Sequence, residues 1–400
     1  MGGRVLFVST VSYFGGAERS LLELATSLPR VGWEPTLAAW QPGPLIDAFA
    51  KQGFTVHVLD AKGRQPGSPL GGLTRNIPGL ESAAKRALWL AIALRRISRE
   101  SAWLKSIVSE GGYAIVHSNC DLSIPIAYAA ARQAGVPYVA HVRDQVRNWF
   151  HPRIRTCLKR ADGVIAPSAF LSRRFAAVGV DVYVVPNPVE PRVFCRVLDR
   201  IETGRWRRAF AIDDAFALAV VGRLDDQKRV DVAIRAVAAL AGDGVRAVLV
   251  IAGQGSPLVE RRLRRLARAL GVEDRVRWIG VRSDVSDWLP AMDALVMPAQ
   301  GEGFGRTIVE GMLAGLPVIA CSDGAAPELL ADGHTGFLVP PGDASAIAGV
   351  IKNLIDAPKL RLLIGEAARR EAADRFDPLI CARKMAAIYD RIRGVGANEA

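Results

Sequence analysis

The feature that most constrains this chain is a repeated alternation of short, unbroken apolar runs with longer stretches of helical spacing. The first run covers residues 5–9, and leucines with helical spacing follow over residues 17–28. Runs that are apolar at every position are typical of parallel strands covered on both faces. The alternation therefore predicts an α/β fold built on parallel sheets.

The alternation runs through two cycles. In the first cycle we predict strands over residues 5–9, 36–40, 54–59, 114–118, 138–142, 163–167 and 182–187. A loose, basic stretch follows over residues 190–213. In the second cycle we predict strands over residues 216–221, 247–252, 275–279, 294–298, 317–321 and 336–339, and a last helix over residues 378–391. The 400 residues suit two or three domains at about 150 residues each, so we expect two doubly wound domains that face each other across a cleft and join near residues 187–191.

Composition excludes several classes of protein. Hydrophobic residues make up 50% of the chain and charged residues 23%, which is typical of a packed globular protein and not of a disordered one. The longest unbroken apolar run in the most hydrophobic region covers residues 87–94, far short of the roughly 20 residues that a bilayer requires. Residues 1–8 lack the pattern of a secretory leader, and the five cysteines show no CxxC pair. We therefore expect a cytoplasmic protein with reduced thiols and no structural zinc.

Positive charge is concentrated in the first half of the chain. Residues 1–195 hold 23 Lys and Arg against 13 Asp and Glu, whereas the remainder holds 29 against 27. A basic half is compatible with nucleic acid, an anionic membrane, an anionic substrate or simple solubility. Because the sequence shows neither an aromatic stacking platform nor a groove-reading helix, nucleic-acid binding is disfavoured.

The segment with the strongest chemical signature is GEGFGRTIVE, residues 301–310. Three glycines precede a helix-like run, and such a loop brings bare backbone N–H groups to an anion. Glu302 lies in the loop and Glu310 about one turn into the helix. Because carboxylates beside an anion site are costly unless they hold hydroxyls, the pattern favours a sugar or a ribose. The alternative is a plain loop with two solvated glutamates.

Two further glycine-containing loops follow predicted strands. Arg223 and Lys228 share one loop after the strand at residues 216–221, and two cations there suit a diphosphate. Gly15 and Gly16 follow the first strand and allow a phosphate or sugar to approach the backbone closely. That loop lacks GxGxxG, so a dinucleotide site is disfavoured. A solvated loop remains the alternative at residues 223–228.

Taken together, these segments resemble a known family. The segments are GGAE (15–18), GRLDDQK (222–228), GEGFGRTIVE (301–310), AAPE (325–328) and DGHTGFLV (332–339). In this order they resemble the GT-B-fold retaining glycosyltransferases of family 4, across nearly the whole chain. The resemblance implies a transferase that moves a sugar from a nucleoside diphosphate donor, with uridine rather than guanosine as the expected base.

The resemblance also implies roles for individual residues. Arg223 and Lys228 would bind the donor's diphosphate, Glu310 the ribose hydroxyls, and Glu302 the transferred sugar. The backbone amides of Gly303, Phe304, Gly305 and Arg306 would contact sugar and phosphate, Arg282 the base, and Gly15 and Gly16 the donor from the other domain. His141 would be the active-site histidine, although a buried core histidine is the alternative. Residues 226–227, where the family more often has Pro and Gln, and Val142 after His141 depart from the family pattern.

The same resemblance sets the expected organisation. It implies a Rossmann-like acceptor-side domain over residues 1–188, completed by a crossover helix at 378–395, and a nucleotide-sugar-binding domain over residues 189–377. The acceptor would be a glycan or a lipid-linked molecule, as in cell-surface polysaccharide or glycolipid synthesis. No cofactor or metal is expected, because Asp225 and Asp226 are already explained by the Arg and Lys beside them. A nucleotide-sugar epimerase on a similar scaffold is the alternative.

Residues 85–108 suggest a membrane contact. Helical spacing puts Leu90, Leu94, Ile97, Leu104 and Val108 on one face. The opposite face mixes Arg86, Arg95, Arg96 and Arg99 with Trp89, Ile92, Trp103 and Ile107. Basic residues interleaved with tryptophan are typical of an interfacial helix on an anionic membrane. The alternative is that residues 62–80 cover these side chains.

Overall fold

A computed structural model of the chain describes residues 2–10, 14–59, 83–143, 152–177, 179–212 and 214–394, without the side chains of residues 83–96 and 152. The chain divides into two compact units. Unit 1 comprises Met1–Pro188 together with Pro378–Ala400, and unit 2 comprises Val189–Asp377.

Unit 1 is built on a parallel sheet that has seven strands within the described residues. They are β1 (Gly3–Ser9), β2 (Trp33–Ala39), β3 (Thr55–Val58), β4 (Ile115–Ser118), β5 (Tyr138–His141), β6 (Gly163–Ala166) and β7 (Tyr183–Val184). The strand order is β3-β2-β1-β4-β5-β6-β7, which is the doubly wound arrangement. β4 and β5 are neighbours, with Ser118 paired with Ala140. Their carboxyl ends therefore bring residues 117–119 and 141–143 to one edge of the sheet.

Helices cover both faces of this sheet. They are α1 (Gly16–Ser27), α2 (Pro44–Lys51), α3 (Ala83–Glu110), α4 (Ile124–Ala134), α5 (Pro152–Lys159) and α6 (Ala169–Ala176). Val5 and Phe7 face one hydrophobic cluster, whereas Leu6 and Val8 face another. Each strand therefore contributes to two cores, which explains why its sequence is apolar at every position.

Unit 2 repeats this architecture. Its described residues form a parallel sheet of β8 (Phe216–Val221), β9 (Ala247–Ala252), β10 (Val276–Gly280), β11 (Ala294–Met297), β12 (Val318–Cys321) and β13 (Phe337–Val339). The strand order is β10-β9-β8-β11-β12-β13. The order reverses between β8 and β11, where an open α/β sheet forms its ligand crevice.

The helices of unit 2 lie on both faces of its sheet. They are α7 (Pro191–Phe194), α8 (Arg200–Ala209), α9 (Val230–Gly242), α10 (Pro257–Ala269), α11 (Val285–Trp288), α12 (Arg306–Leu313), α13 (Ala326–Leu329), α14 (Ala344–Asp356) and α15 (Pro358–Phe376). Ala217 and Ala219 pack into one cluster, and Leu218 and Val220 into the other. The predicted α/β class with two doubly wound parallel sheets is confirmed.

The last helix, α16 (Pro378–Ile392), returns to unit 1. Its buried residues Met385 and Tyr389 pack in the cluster that contains Phe7 and Trp33. The Tyr389 ring meets Trp33 edge-on, with ring centroids 4.8 Å apart. The helix thus closes one face of the unit 1 core and carries a phenol beneath the sheet.

The prediction of a loose stretch at residues 190–213 is wrong, because α7 and α8 form there. The Asp199 side chain accepts a hydrogen bond from Glu202 N at 2.7 Å, and Glu202 reaches back toward Asp199 N. This capping box starts α8 even though none of its residues is buried. The sequence conceals the helix because its composition is basic and it has no apolar stripe.

Helix α3 confirms a helix at residues 85–108 but places part of its proposed membrane face in the core. Trp103 packs against Trp40 with centroids 5.8 Å apart, and Ile107 also contacts the unit 1 core. Arg99 and Lys105 are exposed. The rest of the proposed membrane face lies outside the described residues: residues 62–80 and the side chains of Arg86, Trp89, Ile92, Arg95 and Arg96. No helix within the described part of the chain is long and apolar enough to cross a bilayer.

Candidate functional site

In unit 2, the polar residues of the strongest motifs meet at the carboxyl edge of the sheet. β8 ends at Val221 and runs into the loop that carries Lys228, while β11 ends at Met297 and runs into the loop that carries Glu302. Lys228 Nζ donates to Glu302 Oε2 at 2.7 Å, and both side chains are more than four-fifths buried. The structure therefore joins two residues separated by 74 positions into one ion pair.

A second ion pair lies at the start of α12. Arg306 Nε donates to Glu310 Oε1 at 2.8 Å, and both side chains are about 90% buried. Gly305 precedes the helix in the left-handed conformation, with φ at 86°, a geometry that side-chain-bearing residues disfavour. The helix therefore begins abruptly, with its first backbone N–H groups at the same end as both glutamates.

The loop at residues 301–305 is anchored from behind by Asp323. Its carboxylate accepts from Gly301 N at 2.9 Å and from Gly324 N at 2.7 Å. A Cβ on Gly324, whose φ is 67°, would lie 2.6 Å from Glu302 N, so only glycine allows this approach. Sequence reasoning missed Asp323, and its position directly before a glycine was the available signal.

Several residues predicted for this site are not members of the two ion pairs. Arg223 is exposed and lies 3.5 Å from Asp225. Arg282 follows β10 and donates to Asp284 at 2.8 Å, and this hydrogen bond raises the pKa of Arg282 and lowers that of Asp284. Phe304 is buried, with its ring against Phe376, so only its backbone is available to a ligand.

In unit 1, Gly15 and Gly16 form the N-terminus of α1. Gly15 N donates to Glu18 Oε2 at 3.1 Å, and the Glu18 side chain is almost fully buried. Burial raises the pKa of Glu18, while its backbone hydrogen bonds and the positive charge of Arg143 oppose that shift. The loop before Gly15 lies partly outside the described residues, at 11–13.

His141, the last residue of β5, is 2% exposed and belongs to a buried polar chain. His141 Nδ1 lies 3.3 Å from Nε2 of His117, and His117 Nδ1 lies 2.6 Å from the Tyr389 Oη. Burial lowers the pKa of both histidines well below the usual value, and the positive charge of Arg143 lowers them further. Both imidazoles are therefore neutral at pH 7.

The structure thus joins some predicted residues to one another and gives others different partners. Lys228 joins Glu302, and Arg306 joins Glu310, at one sheet edge; Arg223 and Arg282 make their own pairs with neighbouring aspartates. Tyr389 was missed. For His117, within the strand predicted at residues 114–118, the sequence alone indicates a structural residue or the lining of an acceptor pocket. No local motif marks Tyr389, because its partner is 272 residues away in the chain.

Two family models match the chain. Residues 202–371 match "Glycosyl transferases group 1", and residues 44–193 match "Glycosyltransferase Family 4". The two matched ranges fall mainly in unit 2 and unit 1, respectively.

Curated relatives carry related descriptions. A D-inositol 3-phosphate glycosyltransferase from Streptomyces avermitilis is 34% identical over 290 residues, which is 66% of this chain and 62% of the relative. One with the same description from Actinosynnema mirum is 32% identical over 318 residues, which is 72% of this chain and 75% of the relative. The chain therefore spans less than two thirds of the length of the Streptomyces relative.

Solved structures share the fold. The Anabaena HepE structure in complex with UDP-glucose superposes with a TM-score of 0.79 and 22% sequence identity, covering 97% of this chain and 100% of that one. At this identity the likeness establishes the architecture of the chain.

Proposed function

This chain belongs to the glycosyl transferases of group 1, glycosyltransferase family 4, and from that premise we propose that it transfers a sugar from a nucleoside diphosphate to an acceptor hydroxyl. One observation supports this proposal most strongly. Lys228 with Glu302, and Arg306 with Glu310, place two cations and two carboxylates at the carboxyl edge of the unit 2 sheet beside the α12 N-terminus.

This arrangement suits a ligand that carries both phosphate and hydroxyl groups. A bare carboxylate repels a diphosphate, but here each carboxylate is neutralised by a cation at hydrogen-bond distance. Lys228 is then available to a phosphate oxygen, while Glu302 accepts from sugar hydroxyls and Glu310 from ribose hydroxyls. The amides of residues 303–306 add donors at a helix start, where anions are favoured.

The proposed chemistry places opposite demands on the two ends of the donor. As the glycosyl–phosphate bond breaks, positive charge develops on the sugar and negative charge on the leaving diphosphate. Lys228, Arg223 and the α12 N-terminus stabilise the leaving group, because fixed charges and dipoles act without reorganisation. Glu302 lies beside the sugar and holds its hydroxyls. The chain's own cations meet the leaving group, so we expect transfer to proceed unchanged in EDTA.

The donor base is proposed to be uridine rather than guanosine. Support comes from the solved relatives, since the Anabaena protein was crystallised with UDP-glucose. Arg282, after β10, is the proposed contact to the base. Isothermal titration with UDP and GDP tests this directly, and tighter binding of GDP would overturn it.

For the acceptor we propose a glycan or a lipid-linked molecule used in cell-surface polysaccharide or glycolipid synthesis. The relatives' descriptions add D-inositol 3-phosphate as a candidate for this chain. Unit 1 is proposed as the acceptor side, with its basic composition facing an anionic group. The transferred sugar is expected to retain its anomeric configuration, which proton NMR of the product reads from its coupling constant.

We further propose that the protein is cytoplasmic and contacts the inner membrane surface through α3. The exposed Arg99 and Lys105 support this placement. Sedimentation with vesicles provides the test, using phosphatidylcholine alone and phosphatidylcholine with phosphatidylglycerol. Preferential pelleting with the anionic vesicles is expected, and equal pelleting would remove the proposal.

Product analysis against a panel of nucleotide sugars tests the central proposal. Each donor is incubated with and without glycan, lipid-linked and inositol phosphate acceptors, and products are separated by mass. A new glycosylated product, formed only when acceptor is present, is the expected result. Conversion of the donor sugar to its epimer without acceptor would instead establish the epimerase alternative.

A further inference from the structure

The buried chain in unit 1 runs from the C-terminal helix to the edge of the sheet. Tyr389 and His117 are fully buried and His141 is 2% exposed. The His117 ring is held edge-on to Phe7, with centroids 5.0 Å apart. The Tyr389 ring is similarly held by Trp33. These contacts fix the rings, so the two hydrogen bonds between them have a defined geometry.

Two proton arrangements fit the two contacts. In the first, Tyr389 Oη donates to His117 Nδ1, and His117 Nε2–H donates to His141 Nδ1, which places the remaining proton on His141 Nε2. In the second, every proton is reversed: His141 Nδ1–H donates to His117, and His117 Nδ1–H donates to Tyr389 Oη. Each neutral imidazole carries one N–H, so the choice at one end determines the other.

The two arrangements differ in what they leave unpaired. His141 Nε2 is buried and has no partner among the described residues, and Tyr389 Oη contacts only His117 among them. The first arrangement leaves the His141 Nε2–H without an acceptor and the Tyr389 oxygen without a donor. The second leaves the Tyr389 hydroxyl hydrogen without an acceptor and His141 Nε2 without a donor. Because a phenol donates hydrogen bonds better than it accepts them, whereas a bare imidazole nitrogen is a strong acceptor and costly to bury unpaired, the first arrangement is favoured.

A neighbouring side chain presents a similar donor. Asn119, one residue beyond β4, is fully buried, and its Oδ1 accepts from Arg143 Nε at 2.8 Å. That contact fixes the amide orientation, and Asn119 Nδ2 has no partner within the described range. The edge formed by β4 and β5 therefore presents buried donors, which suits a ligand oxygen.

We propose that Tyr389 is a positioning residue that sets the tautomer of His141 through His117, so that His141 presents Nε2–H to a substrate oxygen. The inference rests on the proposed function, with His141 as the active-site histidine that the family resemblance implies. His141 then acts as a neutral hydrogen-bond donor. It is not a general base, because Nδ1 already accepts from His117 and Nε2 already carries a proton.

Nitrogen NMR of the full chain labelled with ¹⁵N-histidine tests the tautomers directly, without substrate. The chain contains five histidines, and the signals of residues 117 and 141 are assigned with His117→Gln and His141→Gln. Protonated and unprotonated ring nitrogens resonate far apart. We expect Nε2–H and bare Nδ1 on both residues, and Nδ1–H on either would overturn the proposal.

The variant Tyr389→Phe keeps the ring against Trp33 and removes the donor. Without this phenol donor, no group beside His117 Nδ1 favours one arrangement over the other, so the signals of His117 and His141 shift toward a mixture of tautomers. We expect kcat to fall about threefold to tenfold, the equivalent of one neutral hydrogen bond, with KM for the donor nearly unchanged. Unchanged histidine signals in this variant would overturn the role of Tyr389.

Tyr138→Phe is the matched control. Tyr138 is fully buried on β5 and its Oη lies 2.7 Å from Ser118 Oγ, so this variant also loses a buried phenol contact but leaves the histidine chain intact. Its histidine signals and kcat should equal those of the wild type; a change matching that of Tyr389→Phe would attribute the effect to packing and overturn the proposal. The tautomers are read without turnover, so a failed transfer assay combined with Nε2–H signals would contradict only the proposed function.

Discussion

Unit 2 holds two ion pairs at the edge of its sheet, Lys228 with Glu302 and Arg306 with Glu310. Unit 1 instead holds two neutral imidazoles on its sheet, with the Tyr389 phenol hydrogen-bonded to one of them. Both sets are largely buried, so the difference is one of charge and not of exposure. Unit 2 neutralises each carboxylate with a nearby cation. Unit 1 keeps its histidines neutral through burial, which lowers their pKa.

The comparison indicates different tasks for the charged and the neutral residues in the proposed reaction. Charge that develops on a leaving diphosphate is stabilised best by groups that are already charged and fixed in place. Orienting an uncharged sugar hydroxyl requires only a donor of defined direction, and a neutral chain supplies it without an uncompensated buried charge. Removing a charged group should therefore cost more activity than altering the neutral chain.

Lys228→Ala should have the largest effect and tests the charged side of the comparison. Loss of the cation removes stabilisation of the leaving group and leaves Glu302 to repel it, so kcat/KM should fall by about 10²–10³-fold. Thermal unfolding should show a folded protein. Lys352→Ala is the control, because Lys352 pairs with Asp243 on the surface of unit 2. A rate for Lys228→Ala within tenfold of the wild type would contradict the site assignment.

Glu310→Ala tests whether this carboxylate holds the ribose. A hydrogen bond to a charged acceptor is worth about 1.5–3 kcal/mol, so the wild type should prefer UDP over 2′,3′-dideoxy-UDP by about 10- to 100-fold. In Glu310→Ala the two affinities should become nearly equal. Glu366→Ala, which removes an exposed carboxylate paired with Arg370, should retain the preference. Titration calorimetry gives both ratios, and an undiminished preference in Glu310→Ala would reject the ribose contact.

The pH dependence of stability tests the neutral imidazoles of unit 1. Below pH 6.5 the unfolded chain protonates His117 and His141 while the folded chain, with both pKa values lowered, does not. Each histidine should therefore lower the free energy of unfolding by up to about 1.4 kcal/mol per pH unit as the pH falls. Glu18 opposes this trend, since its raised pKa lets the folded state bind a proton first.

Urea unfolding at pH 7.0, 6.0 and 5.0 measures this slope. His117→Gln should show a shallower dependence than the wild type, because one proton-linked group is gone. His334→Gln is the control, since His334 is exposed, and its slope should match that of the wild type. Equal slopes in all three proteins would show that protonation of His117 is not linked to folding.

The same contrast explains what the sequence could predict. Each charged residue stands in a contiguous motif that the sequence shows. Lys228 and Glu302 lie in separate loops that each follow an apolar run, and residues 306 and 310 are one helical turn apart. The doubly wound sheets could also be predicted from the sequence, because strands covered on both faces are apolar throughout. The neutral chain was not, because Tyr389 reaches His117 only after α16 packs onto unit 1. Helix α8 was missed for a related reason: its capping box is local, but no apolar stripe supports it.

Arg282→Ala should have the smallest effect, and it sharpens the comparison within unit 2. Arg282 is one-third exposed and already bonded to Asp284, so solvent and that carboxylate compete with any ligand for the guanidinium. We expect UDP affinity to fall by less than about fivefold, as for a partly exposed ionic contact. The ratio of UDP affinity to GDP affinity should change measurably. Arg262→Ala is the control, because its guanidinium pairs with the exposed Asp226, and that ratio should stay constant. The kcat/KM of Arg282→Ala should also remain well above that of Lys228→Ala. If the two variants lost kcat/KM equally, exposure would not separate primary from secondary binding groups, and the argument from buried ion pairs would fail.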